Sequence, residues 1–225
     1  MKKFILTGSE GLIGSSIKNF LLEQGHECIN LDIILGHDLT NENFVRQFFK
    51  NNKADGLINL FALNHHIDSN HKKSNLFNIS LKSFSQYMNV NLTSLFSVCR
   101  EYARNNETGS IVNFSSTYGM TSPNKSLYDG EEKHIGYSVS KAGVIMLSKH
   151  LATHLSPGIR VNTVVPGGVY NRQSEKFVDR YSKLTPLGRM MNAEELNGIV
   201  EYLLSDKSSY VTGAEFKIEG GWTSW

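Results

Sequence analysis

The stretch Phe4-Ile5-Leu6-Thr7-Gly8-Ser9-Glu10-Gly11-Leu12-Ile13-Gly14 decides the fold. Phe4, Ile5 and Leu6 read as a buried strand. From 12 to 24 the residues Ile13, Ile17, Phe20 and Leu21 fall on one face of a helix that Gly25 stops. Between strand and helix lies a glycine-rich turn. Glycines there allow a tight turn and close backbone approach, and the first N–H groups of the helix face an anion. A pyrophosphate suits this turn. A plain strand-to-helix connection has the same composition, and the position at the first strand–helix junction favours the phosphate reading.

Outward from this turn, strand and helix keep alternating. Strands are expected at 28–32, 56–62, 110–115, 159–165 and 214–219, and helices at 43–50, 81–104, 137–155 and 193–205. Asn192 with Glu195 three residues later imitates a capping box. Short apolar strands without strict polar alternation suit a sheet covered on both faces, so the chain reads as α/β, a doubly wound parallel sheet in a single domain over 1–225. Three segments break the pattern: 64–79, 118–136 and 170–191. All follow strands expected to end at the same sheet edge, where open α/β sheets bind ligands, so they are expected to build a substrate pocket.

Composition narrows the classes. A net charge of +2 from 23 basic and 21 acidic residues gives no reason to expect a nucleic-acid or membrane surface. The apolar run after Met1 is too short for a signal peptide, and none of the others approaches a bilayer span, so a cytoplasmic protein is expected. Cys28 and Cys99 sit in apolar runs and read as buried reduced thiols. His65, His66 and His71 lack the Cys or carboxylate partners of a metal set, so no metal is expected.

Chemistry concentrates around residue 137. Tyr137-Ser138-Val139-Ser140-Lys141 opens a helix, and the i, i+4 spacing puts phenol and ammonium on one face. Tyrosine ionises near pH 10, so neighbouring positive charge, from Lys141 and a bound oxidised nicotinamide, is expected to lower it. Ser115-Ser116 closes the preceding strand, and Asn91 sits midway along the helix before that. Asp32 ends the second strand, 18 positions after Gly14, where a carboxylate accepts ribose hydroxyls and repels a 2′-phosphate. Ile33, Ile34 and Leu35 follow it without Arg or Lys, which favours NAD(H) over NADP(H).

Residues 7–14, Asn91, Ser116, Tyr137, Lys141, Pro166-Gly167 and the tail Val211-Thr-Gly-Ala-Glu-Phe-Lys-Ile-Glu-Gly-Gly, in this order, resemble the short-chain dehydrogenase/reductase family over nearly the whole chain. The resemblance implies a Rossmann-type fold of about seven strands and hydride exchange between a nicotinamide and a carbonyl or alcohol. Ser116 then holds the substrate oxygen, Tyr137 transfers its proton, and Lys141 binds the nicotinamide ribose. Asn91 anchors a water of the proton relay. Cofactor contacts are implied at Gly8, Ser9, Gly11, Leu12, Ile13, Gly14, Asp32, Asp38, Leu39, Asn59, Ala62, Tyr137, Lys141, Pro166, Gly167 and Val169. Substrate contacts are implied at Ser116, Tyr128, Tyr137 and Gly168. The helices 81–104 and 137–155 pair subunits in relatives, so a homodimer or homotetramer is expected, with Trp222 and Trp225 at a further contact.

Departures qualify this. The spacing Gly-x-x-Gly-x-x-Gly resembles the extended branch of the family, and no connecting helix fits between Asp32 and Asp38. Asn59-Leu60-Phe61-Ala62 stands where Asn-Asn-Ala-Gly is common, and Asn171 where Thr is usual. The segment 126–134 resembles members from bacterial surface-sugar and nonulosonic acid pathways. In that reading Tyr128, Asp129, Glu131 or His134 contacts sugar hydroxyls; a solvated loop is the alternative. The expected function is an NAD(H)-dependent oxidoreductase on a sugar or sugar phosphate. The alternatives are a nucleotide-sugar epimerase or dehydratase, or a non-catalytic NAD-binding regulator.

Overall fold

The computed structural model describes residues 1–64, 76–128 and 132–225. Its strands are β1 (Lys3–Thr7), β2 (Glu27–Leu31), β3 (Gly56–Asn59), β4 (Gly109–Phe114), β5 (Ile159–Pro166) and β6 (Glu215–Ile218). They form one sheet in the order β2-β1-β3-β4-β5-β6, and every neighbouring pair is parallel. The helices are α1 (Leu12–Glu23), α2 (Glu42–Asn51), α3 (Leu81–Met88), α4 (Ser94–Asn105), α5 (Ile135–Leu155), α6 (Glu175–Leu184) and α7 (Asn197–Leu204).

Successive residues of each strand feed opposite cores. Ile5, Leu57, Ile111 and Val161 pack with Val45, Phe49, Val98 and Val144 of α2, α4 and α5. Phe4, Leu6, Ile58, Val112 and Val164 pack with Ile17, Leu21, Val200 and Leu203 of α1 and α7. Burial on both faces explains why the strands read as apolar runs. Helix ends match their sequence cues. Gly25 takes φ +78° just beyond α1, and the Asn192–Glu195 capping box forms. Cys99 is fully buried and its thiol is pushed up to about 12, whereas Cys28 is only partly buried. No described helix is long and apolar enough to cross a membrane.

Three features differ from expectation. The described residues form six strands rather than about seven. A parallel crossover needs a dozen or more residues, and the chain from Asp32 runs through a 3₁₀ turn (Ile33–Leu35) and Gly36 at φ +84° directly toward α2, which leaves β2 at the sheet edge. Helix 81–104 is continuous but holds a π-helical turn at Asn89–Thr93. Segment 170–191, read as irregular, contains α6; Ser174 caps it, and Phe177, Tyr181 and Leu184 have helical spacing.

A buried polar ladder crosses the sheet beneath its carboxyl edge. Thr7 Oγ1 donates to Asn59 Oδ1 (3.0 Å), Asn59 Nδ2 to Asn113 Oδ1 (2.8 Å), and Asn113 Nδ2 to Ser148 Oγ on α5 (2.9 Å). Asn113→Ala removes two of the three bonds and costs Asn59 and Ser148 one partner each. It is expected to lower unfolding free energy by about 1–3 kcal/mol, read from the denaturant midpoint; an unchanged midpoint argues against the ladder.

Candidate active site

The turn after β1 is built around two positions that exclude a side chain. Gly8 takes φ +71°, and a Cβ there would stand 2.6 Å from the Phe61 nitrogen. At Gly14 a Cβ would lie 2.1 Å from the Gly8 carbonyl oxygen. The helix therefore starts against the turn itself. Its N-cap is Gly11, with no side-chain capping bond, so the first-turn N–H groups face a cavity of about 460 Å³ lined by Gly8, Gly11, Leu12, Ile13 and Gly14. Ser9 is turned away and buried, donating to the Glu10 carboxylate at 3.0 Å.

A second cavity, of about 570 Å³, meets the first at Gly8, Gly11, Leu60 and Ala62 and reaches Asp32, Asp38 and Leu39. Asp32 accepts from the Glu10 N–H (3.0 Å) and the Ile34 N–H (3.1 Å), which aims its carboxylate across the turn. No described Lys or Arg lines this cavity. Asp38 is exposed and accepts from the Thr40 N–H (2.9 Å), and Leu39 is buried. Asn59 departs from the expected cofactor contact: its side chain is spent in the sheet ladder and lines neither cavity.

Ser116, Tyr137 and Lys141 line the first cavity together with Pro166, Gly167, Gly168 and Val169. The end of β4 and the start of α5 are locked to each other. Ser115 Oγ donates to the Lys141 carbonyl (2.7 Å), and Lys141 Nζ donates to the Phe114 carbonyl (2.8 Å). The ammonium stands 5.9 Å from the Tyr137 ring centroid, and Ser116 lines the same cavity as the phenol. Burial depresses Lys141 to about 8. Burial also pushes the Tyr137 phenol up, against the opposing hydrogen bond from Ser116. The phenol is thus raised rather than lowered within the protein itself, because desolvation is the largest influence on it.

Asn91 stands behind this cavity rather than in it, on the π-helical turn. Its Oδ1 accepts from the Leu63 N–H (2.6 Å), and its Nδ2 donates to the Leu63 carbonyl and to Ser140 Oγ, both at 3.0 Å. Ser140 in turn donates to the Tyr137 carbonyl (2.8 Å). These bonds make Asn91 a tie between the chain after β3 and α5.

The outer wall is aromatic. Tyr128 lines the cavity, its hydroxyl donating to that of Tyr118 (2.7 Å). Phe177 and Tyr181 of α6 complete the wall, with Tyr181 stacked on Trp222 at 4.4 Å. Trp222 is therefore engaged inside the chain, while Trp225 is exposed. His134 is not a sugar contact: it is buried, accepts the Gly136 N–H as cap of α5 (3.0 Å), and stacks on Tyr87. Asn171 lines the cavity. Asp129, Glu131, His65, His66 and His71 lie outside the described residues. The sequence reading missed Tyr118, Phe177, Tyr181 and Lys133. The helical spacing of α6 was the available signal for two of them.

A family model described as enoyl-(acyl carrier protein) reductase matches residues 17–223. Post-translational flagellin modification protein A of Campylobacter coli is 30% identical over 181 residues, which cover 78% of this chain and 70% of that protein. A 3-oxoacyl-[acyl-carrier-protein] reductase of Aquifex aeolicus is 34% identical over 151 residues, covering 64% of this chain and 58% of the reductase. Among solved structures, a short chain dehydrogenase from Leptospira borgpetersenii with bound NAD+ aligns with a TM-score of 0.86 and 31% identity, over 99% of this chain and 92% of that one.

Gly14→Val forces a branched side chain against the Gly8 carbonyl. A loss of about 1–3 kcal/mol in unfolding free energy is expected, measured by chemical denaturation. A variant as stable as the parent contradicts the close packing of turn and helix.

Proposed function

The chain belongs to the short-chain dehydrogenase/reductase family of oxidoreductases, and from that premise we propose an NAD(H)-dependent enzyme. It interconverts an alcohol and a carbonyl on a sugar or sugar phosphate of a surface-polysaccharide or nonulosonic acid pathway. The observation that carries this reading is that Ser116, Tyr137 and Lys141 share one cavity with the glycine turn. The flagellin modification protein among the relatives supports the surface-sugar assignment, as does the hydroxyl-bearing aromatic wall of Tyr118 and Tyr128.

The residues present fit a dinucleotide: a cradle that a Cβ would fill, an uncapped helix start and a strand-end carboxylate in one groove. The dinucleotide supplies the hydride donor or acceptor. The turn and the start of α1 hold its pyrophosphate, with Leu12 and Ile13 beside it, and Asp32 accepts ribose hydroxyls while Asp38 and Leu39 border the adenine. Pro166, Gly167 and Val169 flank the nicotinamide, and Lys141 donates to its ribose. Asp32 disfavours a 2′-phosphate by like charge, and no described cation in its cavity offsets that.

Ser116 holds the substrate oxygen, and Tyr137 passes a proton to it, with Gly168 and Tyr128 bordering the substrate. Burial keeps the phenol protonated at neutral pH, the form that donates to a carbonyl. In the reverse direction the phenol must first lose that proton, and the Lys141 ammonium favours the phenolate. Asn91 acts as a positioning residue through Ser140. Family members act on small molecules and commonly form oligomers; the exposed Phe96, Val139 and Met146 on α4 and α5 support a homodimer or homotetramer built on those helices.

Tyr137→Phe is expected to reduce turnover on a panel of keto and amino sugars by about 10²–10⁴-fold, with dinucleotide affinity nearly intact by fluorescence titration. Turnover equal to the parent's removes the proton-transfer assignment. NADH is expected to bind more tightly than NADPH, and Asp32→Ala to erase the difference. Tighter NADPH binding by the parent rejects the cofactor preference.

A further inference from the structure

Two lysines line the cavity that holds Ser116 and Tyr137, and no described aspartate or glutamate does. Lys141 is engaged by the Phe114 carbonyl. Lys133 is the cation that the proposed reaction leaves unused. Its ammonium stands 4.7 Å from the centroid of the Tyr137 ring and donates to the Asn64 carbonyl (3.1 Å) and to Asn64 Oδ1. An ammonium has three donors. Asn64 takes two, and among the described residues nothing takes the third.

The neighbouring carboxylate is no partner either. Glu132 Oε1 accepts from Lys125 (2.7 Å) and its Oε2 from the Leu76 N–H (3.1 Å). Lys133 is partly buried, and burial brings it down to about 8, with no described acidic group offsetting the desolvation. A neutral side chain would tether Asn64 as well without that cost. The ammonium also sits where two cavities meet. A further cavity of about 470 Å³ shares Tyr118, Tyr128 and Lys133 with it.

We infer that Lys133 determines specificity by binding the anionic oxygens, carboxylate or phosphate, of a carbonyl substrate whose reacting carbon lies at Tyr137. The inference rests on the oxidoreductase reading and narrows it: the substrate is a sugar acid or a sugar phosphate rather than a neutral sugar. A charge-assisted hydrogen bond from the third donor restores what burial removes. The cation–π contact with Tyr137 fixes the anion relative to the phenol.

D-Fructose, D-fructose 6-phosphate and 2-keto-D-gluconate share one carbon skeleton and differ in charge, and each is offered to the enzyme with NADH. The parent is expected to favour one of the anionic pair by at least about tenfold in kcat/KM, and which one identifies the anion. Lys133→Met is expected to abolish that preference, and Lys133→Arg to keep most of it. In parallel, inorganic phosphate and D-gluconate are titrated calorimetrically into parent and Lys133→Met, each saturated with NAD+. At least one is expected to bind the parent tenfold or more tightly than the variant. If both anions bind the two proteins alike, or the anionic preference survives Lys133→Met, the inference is overturned whether or not these sugars turn over. Failure to bind any dinucleotide, or turnover indifferent to Tyr137→Phe, overturns the oxidoreductase reading instead.

Discussion

The seam between the end of β4 and the first turns of α5 is the constraint on which the site depends. Three contacts close it: the Lys141 ammonium on the Phe114 carbonyl, the Ser115 hydroxyl on the Lys141 carbonyl, and Gly119 so near the Lys141 backbone that a Cβ would stand 2.7 Å away. A buried ammonium must be hydrogen-bonded, because leaving it unpaired in a low dielectric is costly. That requirement fixes α5 against the sheet edge. Ser116 and Tyr137, 21 positions apart in sequence, are thereby brought to line one cavity.

Two further devices hold this seam in register. Beneath it, Asn59, Asn113 and Ser148 replace apolar packing with a fully paired amide ladder, a directional contact that a core of aliphatic side chains does not give. Beside it, the π-helical turn at Asn89–Thr93 interrupts the regular hydrogen bonding of the helix and presents Asn91 to Leu63 and Ser140. An asparagine gives up helix propensity at such a place. Its three short contacts offset that loss and couple the chain after β3 to the helix that bears Tyr137.

Burial governs the electrostatics. The same desolvation raises the Tyr137 phenol and depresses Lys141 and Lys133, so each charge in the cavity is held near its limit by a few oriented oxygens. Small changes in what occupies the cavity therefore shift protonation more than they would at an exposed site. Phe177 and Tyr181 of α6 add apolar ring surface to the same cavity.

Much of this was legible in the chain. The strand–turn–helix at 4–14, the alternation of apolar strands with amphipathic helices and the Tyr137–Lys141 spacing are local patterns, since periods of two and 3.6 and the steric freedom of glycine act between near neighbours in sequence. The short link from Asp32 to Asp38 likewise excluded a crossover helix by length alone. What the tertiary structure decided was where side chains end up once distant segments pack. Asn59 and His134 turn inward to satisfy buried partners, Asn91 becomes a tie, and Trp222 stacks on Tyr181. The rise of the Tyr137 phenol and the approach of Lys133 to its ring arise only there too. Desolvation and the pairing of buried polar groups depend on the whole surroundings of an atom, and those are set by segments that lie far apart along the chain.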